Sequence, residues 1–315
     1  MNKKAVIYGF RGHQLSKREK SFFKKTQPWG LILFSRNIKN IYQLKKLTKD
    51  IKKTFKDKNY PILIDMEGGK VSRLNNIIDF SCFTQKYFTD LFKKNKKIFL
   101  NYYNIYINTV CNILNEAGVN INTVPVLDVI RANSHEIIGN RSFSKNVNEV
   151  IKMGNLCIDF YKKHKIATVI KHIPGHGLSK FDSHYKTPII QASKKELIKK
   201  DFKAFKLCKS PFAMTCHAIY SSYDSNNTAT HSKLIINKVI RKHIKFKGIL
   251  ISDDISMKSL KFTLEENAKR ALEAGCNLIL HCNGNLNQMK KLSKVIPKID
   301  KFTWKKTSDF YNFLR

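Results

Sequence analysis

The sequence predicts an α/β fold, a single (β/α)8 barrel of the TIM type, from three observations. Eight short apolar runs, rich in β-branched residues, are spaced along the 315 residues. Longer polar segments with helical spacing separate these runs. Nearly every run is followed by a polar or charged residue, and in a barrel such residues meet at one mouth. In a doubly wound open sheet, the rival fold, they would be spread along a crevice, so the barrel is the better prediction.

The eight runs are typical of strands buried on both faces, because their apolar residues are continuous rather than alternating. They comprise KAVIY (4–8), GLILF (30–34), PILID (61–65), VNINTVPVL (119–127), IATVI (166–170), FAMTC (212–216), GILIS (248–252) and NLILH (277–281). Helical spacing between them is seen at Ile41, Leu44, Leu47 and Ile51, and at Ala268, Ala271 and Leu272. No internal repeat or linker interrupts the pattern. One domain is therefore predicted over 1–315, with a barrel core at about 4–285 and a C-terminal helical tail.

The chain has neither a membrane-spanning window of about 18 apolar residues nor the zones of a signal peptide at its N-terminus, MNKKAVIYGF. We therefore predict a soluble, cytoplasmic protein without a membrane partner. Its seven cysteines are odd in number and form no C-x-x-C pair, which fits neither a disulfide framework nor a zinc ribbon. Buried thiols in a reducing compartment are predicted instead.

The net charge is +36, from 59 lysines and arginines against 23 acidic residues. Such a balance suggests a nucleic acid or another anionic surface as partner. The lysines, however, are spread over most predicted surface segments, and aromatic residues do not interleave with them as a base-stacking platform requires. A lysine-, asparagine- and isoleucine-rich composition is typical of an A/T-rich genome. No nucleic-acid partner is predicted on this ground.

The stretch KHIPGHGLSKFDSH, at 171–184, contains three histidines that are candidates for a metal site. His172 and His176 are four residues apart, but the proline and glycines around them exclude the helix that would align both rings on one face. The spacing is weak evidence for metal, so none is predicted. For each histidine alone, a solvated position in a turn is the simpler interpretation.

Asp182 and His184 indicate proton transfer, because alternate residues of an extended segment face the same side and a carboxylate can then orient an imidazole. Asp253 follows a predicted strand at the same mouth, where a carboxylate can attack an electrophilic carbon. Its neighbour Asp254 should face the other way and bond barrel backbone or a neighbouring strand. For both aspartates, a helix N-cap is the simpler alternative.

Six motifs in chain order resemble those of glycoside hydrolase family 3, specifically its single-domain bacterial β-N-acetylhexosaminidase branch. They are DMEGGKVSRL (65–74), PVLDV (125–129), GNRSFS (139–144), KHIPGHG (171–177), DSH (182–184) and ISDDISM (251–257). The matches extend over roughly residues 5–285. KHIPGHG followed by DSH is the most specific of them, whereas ISDD alone has little weight.

The resemblance implies a TIM-type barrel and a retaining glycosidase without cofactor. By motif position, Asp253 is the expected nucleophile, and His184, oriented by Asp182, the expected acid/base. The residues expected around a terminal N-acetylglucosamine are Asp65, Arg73, Arg141, Lys171 and His172. Asp128 falls in a motif near the sugar and is expected to assist there.

The substrates implied by the resemblance are peptidoglycan fragments in which N-acetylglucosamine is joined to anhydro-muramic acid, with or without peptide. The expected partner is thus a saccharide, and the protein is expected to be a monomer or a weak homodimer. Two enzymatic alternatives stay open, a β-N-acetylglucosaminide phosphorylase and a β-glucosidase of the same family. A basic nucleic-acid-binding barrel without catalysis is the alternative from another class, and it leaves Asp182, His184 and Asp253 unexplained.

Overall fold

The chain folds into a closed barrel of eight parallel strands surrounded by helices, in a computed structural model that describes residues 2–131, 138–179 and 186–315. The strands are β1 (Lys4–Tyr8), β2 (Pro28–Leu33), β3 (Ile62–Ile64), β4 (Ile121–Asn122), β5 (Ala167–Ile173), β6 (Ile189–Ile190), β7 (Phe212–Thr215), β8 (Ile219–Tyr220), β9 (Asp224–Thr228), β10 (Ile249–Asp254) and β11 (Leu278–His281). The helices are α1 (Lys17–Thr26), α2 (Ile41–Phe55), α3 (Gln85–Lys94), α4 (Lys96–Ala117), α5 (Val147–Lys163), α6 (Lys194–Lys199), α7 (Asp201–Leu207), α8 (Leu264–Ala274), α9 (Leu286–Val295) and α10 (Lys301–Phe313). A π-helical segment spans Ile235–His243.

The barrel strands follow one another in the order β1, β2, β3, β4, β5, β7, β10 and β11. The last strand pairs with the first in parallel register, Val6 opposite Ile279, and so closes the barrel. All the strand pairs of the barrel are parallel, so their carboxyl ends open at one end. The (β/α)8 fold predicted from the eight apolar runs is confirmed.

The fourth predicted strand, 119–127, is much shorter in the structure, where β4 covers two residues. Beyond β4 the chain still runs beside β5, since Leu127 donates its backbone N–H to Lys171 and Lys171 donates to Pro125. Pro125 has no N–H to give to a ladder. A small second sheet of β6, β8 and β9 stands outside the barrel and was not predicted.

The helices begin at side chains that accept hydrogen bonds from their first free N–H groups. Ser16 and Glu19 form a reciprocal capping box at the start of α1. Asn40 caps α2, whose buried Leu44, Leu47 and Ile51 are the apolar positions that the helical spacing identified. These residues bury one face of α2 against the barrel, as an amphipathic helix requires.

Five of the seven cysteines, Cys111, Cys157, Cys208, Cys216 and Cys276, are buried, as predicted. Cys82 is exposed and Cys282 is half-buried, so the prediction of buried thiols is wrong for these two. Within the described part of the chain, no helix is both long and apolar enough to cross a membrane.

The last helix, α10, packs across the amino ends of the barrel strands. The Phe310 ring lies 5.5 Å from that of Phe212 and 6.4 Å from that of Trp29, measured between centroids. The Trp29 indole donates to the Thr307 hydroxyl at 2.8 Å. This helix therefore seals one end of the barrel and leaves the opposite end open for a site.

We expect Phe310→Ala to lower the free energy of unfolding by about 3–5 kcal/mol, because it removes a buried aromatic ring and leaves a cavity. Urea unfolding at neutral pH measures the loss. Phe302→Ala is the matched control in the same helix, since Phe302 is 41% exposed, and its effect should be about 0.5 kcal/mol or less. Equal losses in both variants would contradict the packing role of Phe310.

Candidate active site

A cavity of about 430 Å³ opens at the carboxyl ends of the barrel strands, and we call it the mouth cavity. Its lining consists of Ile32, Phe34, Asp65, Lys70, Val71, Arg73, Thr123, Ile138, Asn140, Arg141, Lys171, His172, His176, Met214, Asp253, Asp254, Met257, Leu280 and Cys282. The volume suits one or two sugar rings and lies within the usual range for small-molecule sites. Six of the predicted site residues line it together: Asp65, Arg73, Arg141, Lys171, His172 and Asp253.

Asp65, just after β3, is held by cations and a hydroxyl. Arg73 donates to its Oδ2 at 3.0 Å, while the Lys171 ammonium and the Thr123 hydroxyl both donate to Oδ1. Burial raises the pKa of Asp65, but the charges of Lys171 and Arg73 outweigh burial and hold it well below its usual range. Asp65 is therefore an ionised acceptor at the cavity wall, flanked by donors.

Glu67 completes this charged wall and was not assigned a role from the sequence. Its side chain is 1% exposed, and Arg141 donates to both of its carboxylate oxygens, Nε to Oε2 at 2.8 Å and Nη2 to Oε1 at 2.9 Å. Lys171 Nζ lies 2.5 Å from Oε1. Burial raises the pKa of Glu67, yet Arg141 and Lys171 lower it below its ordinary value. Glu67 thus positions two cations that face the cavity.

Asp128, which was expected to assist near the sugar, is fully buried and is not among the residues that line the cavity. It accepts hydrogen bonds from the His172 ring Nδ1 at 2.6 Å and from the backbone N–H of His172 and His176. Burial raises its pKa, but His172 and these bonds lower it overall. An ionised carboxylate can only accept hydrogen bonds, so Nδ1 of His172 carries a proton. Because Nδ1 is bonded to Asp128, the ring nitrogen that could contact a ligand in the cavity is Nε2.

Asp253 is the penultimate residue of β10 and lines the mouth cavity. One of its oxygens accepts the backbone N–H of Asp254 at 2.8 Å. Burial raises the pKa of Asp253, but His217, His172, this hydrogen bond and Lys171 together lower it below its ordinary value. The carboxylate is therefore charged at neutral pH, as a nucleophile must be.

Asp254 is engaged with the backbone beside it. Its carboxylate accepts the N–H and hydroxyl of Ser256, at 3.1 and 2.8 Å, and the N–H of Cys282 after the neighbouring β11 at 3.3 Å. These bonds agree with the predicted bonding of Asp254 to nearby backbone, but Asp254 also lines the mouth cavity and so does not face away from it. From the described residues, the Asp253 carboxylate accepts one of these hydrogen bonds and the Asp254 carboxylate three, so Asp253 is the better candidate to bind a ligand.

Two further side chains around Asp253 and Asp65 were missed. His217 is buried behind Asp253, and its ring bonds the Thr230 hydroxyl at 2.7 Å and the Asp254 carbonyl at 3.1 Å. Phe34 lines the cavity, with the guanidinium of Arg73 5.4 Å above its ring. The signal for His217 was present, since it directly follows the sixth apolar run. Phe34 lay inside a run that predicted a buried strand.

Asp182 and His184, the predicted proton-transfer pair, lie outside the described residues. The other two histidines of the motif, His172 and His176, are in contact: their rings meet edge to face, with centroids 5.7 Å apart. Across 2–131, 138–179 and 186–315, no group of three histidine, cysteine or acidic side chains is arranged to hold a metal ion.

Asp201, at the start of α7, lies against the turn at Gly175, where a Cβ added to the glycine would meet the Asp201 Cβ at 2.8 Å. Arg131 Nη2 contacts its carboxylate at 2.6 Å. Burial nevertheless outweighs this charge and raises the pKa of Asp201 to about 7. The unfolded chain releases this proton near pH 3.8, so between about pH 4 and 7 the group contributes progressively less stability as pH rises.

We therefore expect Asp201→Asn to gain stability relative to wild type as pH rises from 5 to 8, because asparagine has no proton to lose. Urea unfolding of both proteins at pH 5 and pH 8 measures the difference. Asp159→Asn, at an exposed position of α5, is the control that should show no such trend. A constant difference between Asp201→Asn and wild type at the two pH values would contradict the argument.

The family model, the related sequences and the solved structures that this chain resembles all indicate the same family. Residues 5–305 match the family described as Glycosyl hydrolase family 3 N terminal domain. A beta-hexosaminidase of Psychromonas ingrahamii is 32% identical over 295 residues, which cover 88% of this chain and 82% of that protein. A crystal structure of NagZ from Neisseria gonorrhoeae, in complex with N-trifluoroacetyl-D-glucosamine, is similar with a TM-score of 0.85 at 26% identity, covering 100% of this chain and 91% of that one.

A longer protein shares the fold. The structure of a glycoside hydrolase family 3 beta-N-acetylglucosaminidase from Paenibacillus sp. str. FPU-7 has a TM-score of 0.87 at 22% identity. The aligned region covers 98% of this chain and 60% of the Paenibacillus protein.

Proposed function

Because the chain belongs to glycoside hydrolase family 3, we propose that it is a retaining exo-β-N-acetylglucosaminidase acting on peptidoglycan fragments. The observation that carries this proposal is the ionised Asp253, which lines the same cavity as the charged groups of Asp65, Arg73 and Lys171. Hydrolysis of a glycosidic bond is the family's chemistry. The identity of the released sugar, the substrate and the roles of the residues are what we propose.

The cavity wall provides the groups that a terminal sugar requires. Asp65 can accept hydrogen bonds from hydroxyls, while Arg73 and Lys171 can donate to them. His172 presents Nε2, and Arg141, which is held by Glu67, lines the same cavity. A few well-placed polar groups of this kind set the orientation of the ring above Asp253.

In the proposed first step, an Asp253 oxygen bonds to the anomeric carbon as the glycosidic bond breaks. The leaving oxygen takes a proton from the imidazolium of His184. In the second step, neutral His184 removes a proton from water, the water oxygen bonds to the anomeric carbon, and Asp253 leaves as a carboxylate. Asp182 orients the imidazole and stabilises its charged form. Asp182 and His184 enter this scheme through their motif, DSH at 182–184.

N-Acetylglucosamine is proposed as the released sugar on the strength of the relatives. One is a beta-hexosaminidase, and another was solved with N-trifluoroacetyl-D-glucosamine. The peptidoglycan source, N-acetylglucosamine on anhydro-muramic acid with or without peptide, rests on resemblance to the single-domain bacterial branch. The same resemblance supports a cytoplasmic location in cell-wall recycling and one catalytic domain over 1–315.

The test is hydrolysis of nitrophenyl β-glycosides of N-acetylglucosamine, N-acetylgalactosamine and glucose, with product analysis by proton NMR. We expect kcat/KM to be highest for the N-acetylglucosaminide by about 100-fold over the glucoside, and the first product to be the β-anomer. Added phosphate should yield no sugar 1-phosphate. A preference for the glucoside, an α-anomer as first product, or a sugar phosphate would each replace the proposal with a different member of the family.

The acid role of His184 predicts a dependence on the leaving group. His184→Ala should lower kcat/KM for the nitrophenyl substrate far less than for a disaccharide of N-acetylglucosamine and anhydro-muramic acid, because nitrophenolate departs without protonation. Assays of both substrates with wild type and variant provide the ratio. His13→Ala, at an exposed loop position, is the control. Equal losses on the two substrates would remove His184 from the acid role.

A further inference from the structure

A second concave surface lies at the other end of the barrel from the mouth cavity. It has a volume of about 730 Å³ and is bounded by the end of α5, the end of α7 with the segment that follows it (205–211), the segment 244–248 before β10, and α10. Because it touches the amino ends of β5, β7 and β10, the length of the barrel separates it from Asp253. We call it the lysine groove.

The floor of the lysine groove is apolar. Its members include Ile166, Phe205, Ile244, Phe246 and Phe310, each less than 10% exposed. Such a floor gains little from contact with a strongly hydrated ligand but gains from an apolar chain or ring laid against it.

The rim is basic. It is formed by Lys162, Lys206, Lys209, Lys245, Lys247 and Lys306. Among the described residues that line the groove, Asp309 is the only acid, and it pairs with Lys306 at 3.0 Å. Like charges held around one depression repel one another, and an anion placed among them relieves that repulsion.

We propose that the lysine groove binds a single-chain amphiphilic anion, with its apolar chain on the phenylalanine floor and its phosphate, sulfate or carboxylate head at the lysine rim. Charge complementarity selects the head, and the buried apolar floor selects the chain. A compact inorganic anion leaves the floor uncovered, and a neutral amphiphile leaves the lysines without a partner. The volume falls in the range of established small-molecule sites, roughly 300–1,000 Å³.

Binding at this groove is independent of the proposed glycosidase function. No residue of the groove lines the mouth cavity, and hydrolysis can fail or succeed without affecting the groove. The proposal predicts an occupied groove with unchanged turnover of the nitrophenyl substrate.

The test is isothermal titration of the full chain with octyl phosphate, kept below its critical micelle concentration. We expect one bound molecule per chain, at least about 10-fold tighter than inorganic phosphate or octyl glucoside, which carry the head and the chain separately. The double variant Lys209→Glu/Lys247→Glu should weaken binding of octyl phosphate at least about 10-fold while keeping the wild-type unfolding midpoint and glycosidase activity.

The matched control is Lys290→Glu/Lys291→Glu on α9, which changes the net charge equally at two exposed positions outside the groove. It should bind octyl phosphate within twofold of wild type. Equal weakening in both double variants would show attraction by overall charge and overturn the proposal. Equal binding of octyl phosphate and octyl glucoside, equal binding of octyl phosphate and inorganic phosphate, or several molecules per chain would overturn it as well.

Discussion

Replacing Asp253 with alanine is expected to lower kcat for a nitrophenyl β-N-acetylglucosaminide by on the order of 10⁴-fold or more, the scale seen when a nucleophile is removed. The reason is chemical. In the proposed mechanism no covalent intermediate forms without this carboxylate, while the groups around Asp65 that are proposed to bind the sugar remain in place. KM should therefore change much less than kcat. Initial rates of the purified variant, with an unfolding midpoint near that of wild type, provide the measurement.

A small anion can take the place of the missing carboxylate, which separates a chemical loss from a folding defect. Sodium azide should restore turnover of Asp253→Ala and yield the α-glycosyl azide, because azide enters the face that Asp253 occupied. Asp79→Ala is the control, since Asp79 is an exposed carboxylate that accepts hydrogen bonds from the N–H and hydroxyl of neighbouring Ser81. Full activity of Asp253→Ala, or a β-glycosyl azide as product, would assign the nucleophile to another residue.

The barrel was predictable because the signal for a parallel strand is local. A continuous apolar run such as ILIS, at 249–252, has to be covered on both faces. Only a few known folds contain eight such strands separated by helices. The sheet of β6, β8 and β9 carries no such signal. Two of its strands have two residues each, and β9 consists of the polar segment DSNNT. Its pairing depends on tertiary contacts that spacing does not reveal.

The site was predictable in part for a similar reason. Asp65, Lys171, His172 and Asp253 all come at the carboxyl ends of strands, and the closed barrel brings those ends together. Glu67 could have been found by the same logic, because residues two apart in an extended segment face one side. Its partner Arg141 lies 74 positions further along the chain. Two residues so far apart in the sequence are brought into contact by the tertiary fold, so the local sequence pattern could not predict their pairing.

The Glu67 carboxylate is expected to hold the charged wall of the cavity together. Its partners are Arg141, through two hydrogen bonds, and Lys171. With Asp65 and Arg73 the cluster contains three cations and two carboxylates, all of them partly or wholly withdrawn from water. Removing the Glu67 charge takes away the carboxylate that Arg141 and Lys171 share. Such an unbalanced buried charge is costly, at about 3–5 kcal/mol.

Glu67→Gln should therefore lower the free energy of unfolding at pH 7 by about 3 kcal/mol or more. It should also lower kcat/KM, since Arg141 and Lys171 lose the group that positions them. Urea unfolding and initial rates measure the two effects. Glu116→Gln is the matched control, because Glu116 forms an exposed pair with Lys45 at 3.0 Å, with half of each side chain in solvent. An exposed pair of this kind contributes little.

The pH dependence of the difference distinguishes a charge effect from a packing effect. The pKa of Glu67 is lowered in the folded protein from an ordinary value of 4.5, so its ionised form contributes stability above pH 4.5, and this contribution is lost as pH falls through the folded value. The gap in unfolding free energy between wild type and Glu67→Gln should therefore be largest near pH 7 and shrink below about pH 4. A gap that is the same at pH 7 and in acid would mean that glutamine disturbs the packing of the wall and that the charge of Glu67 contributes nothing to it.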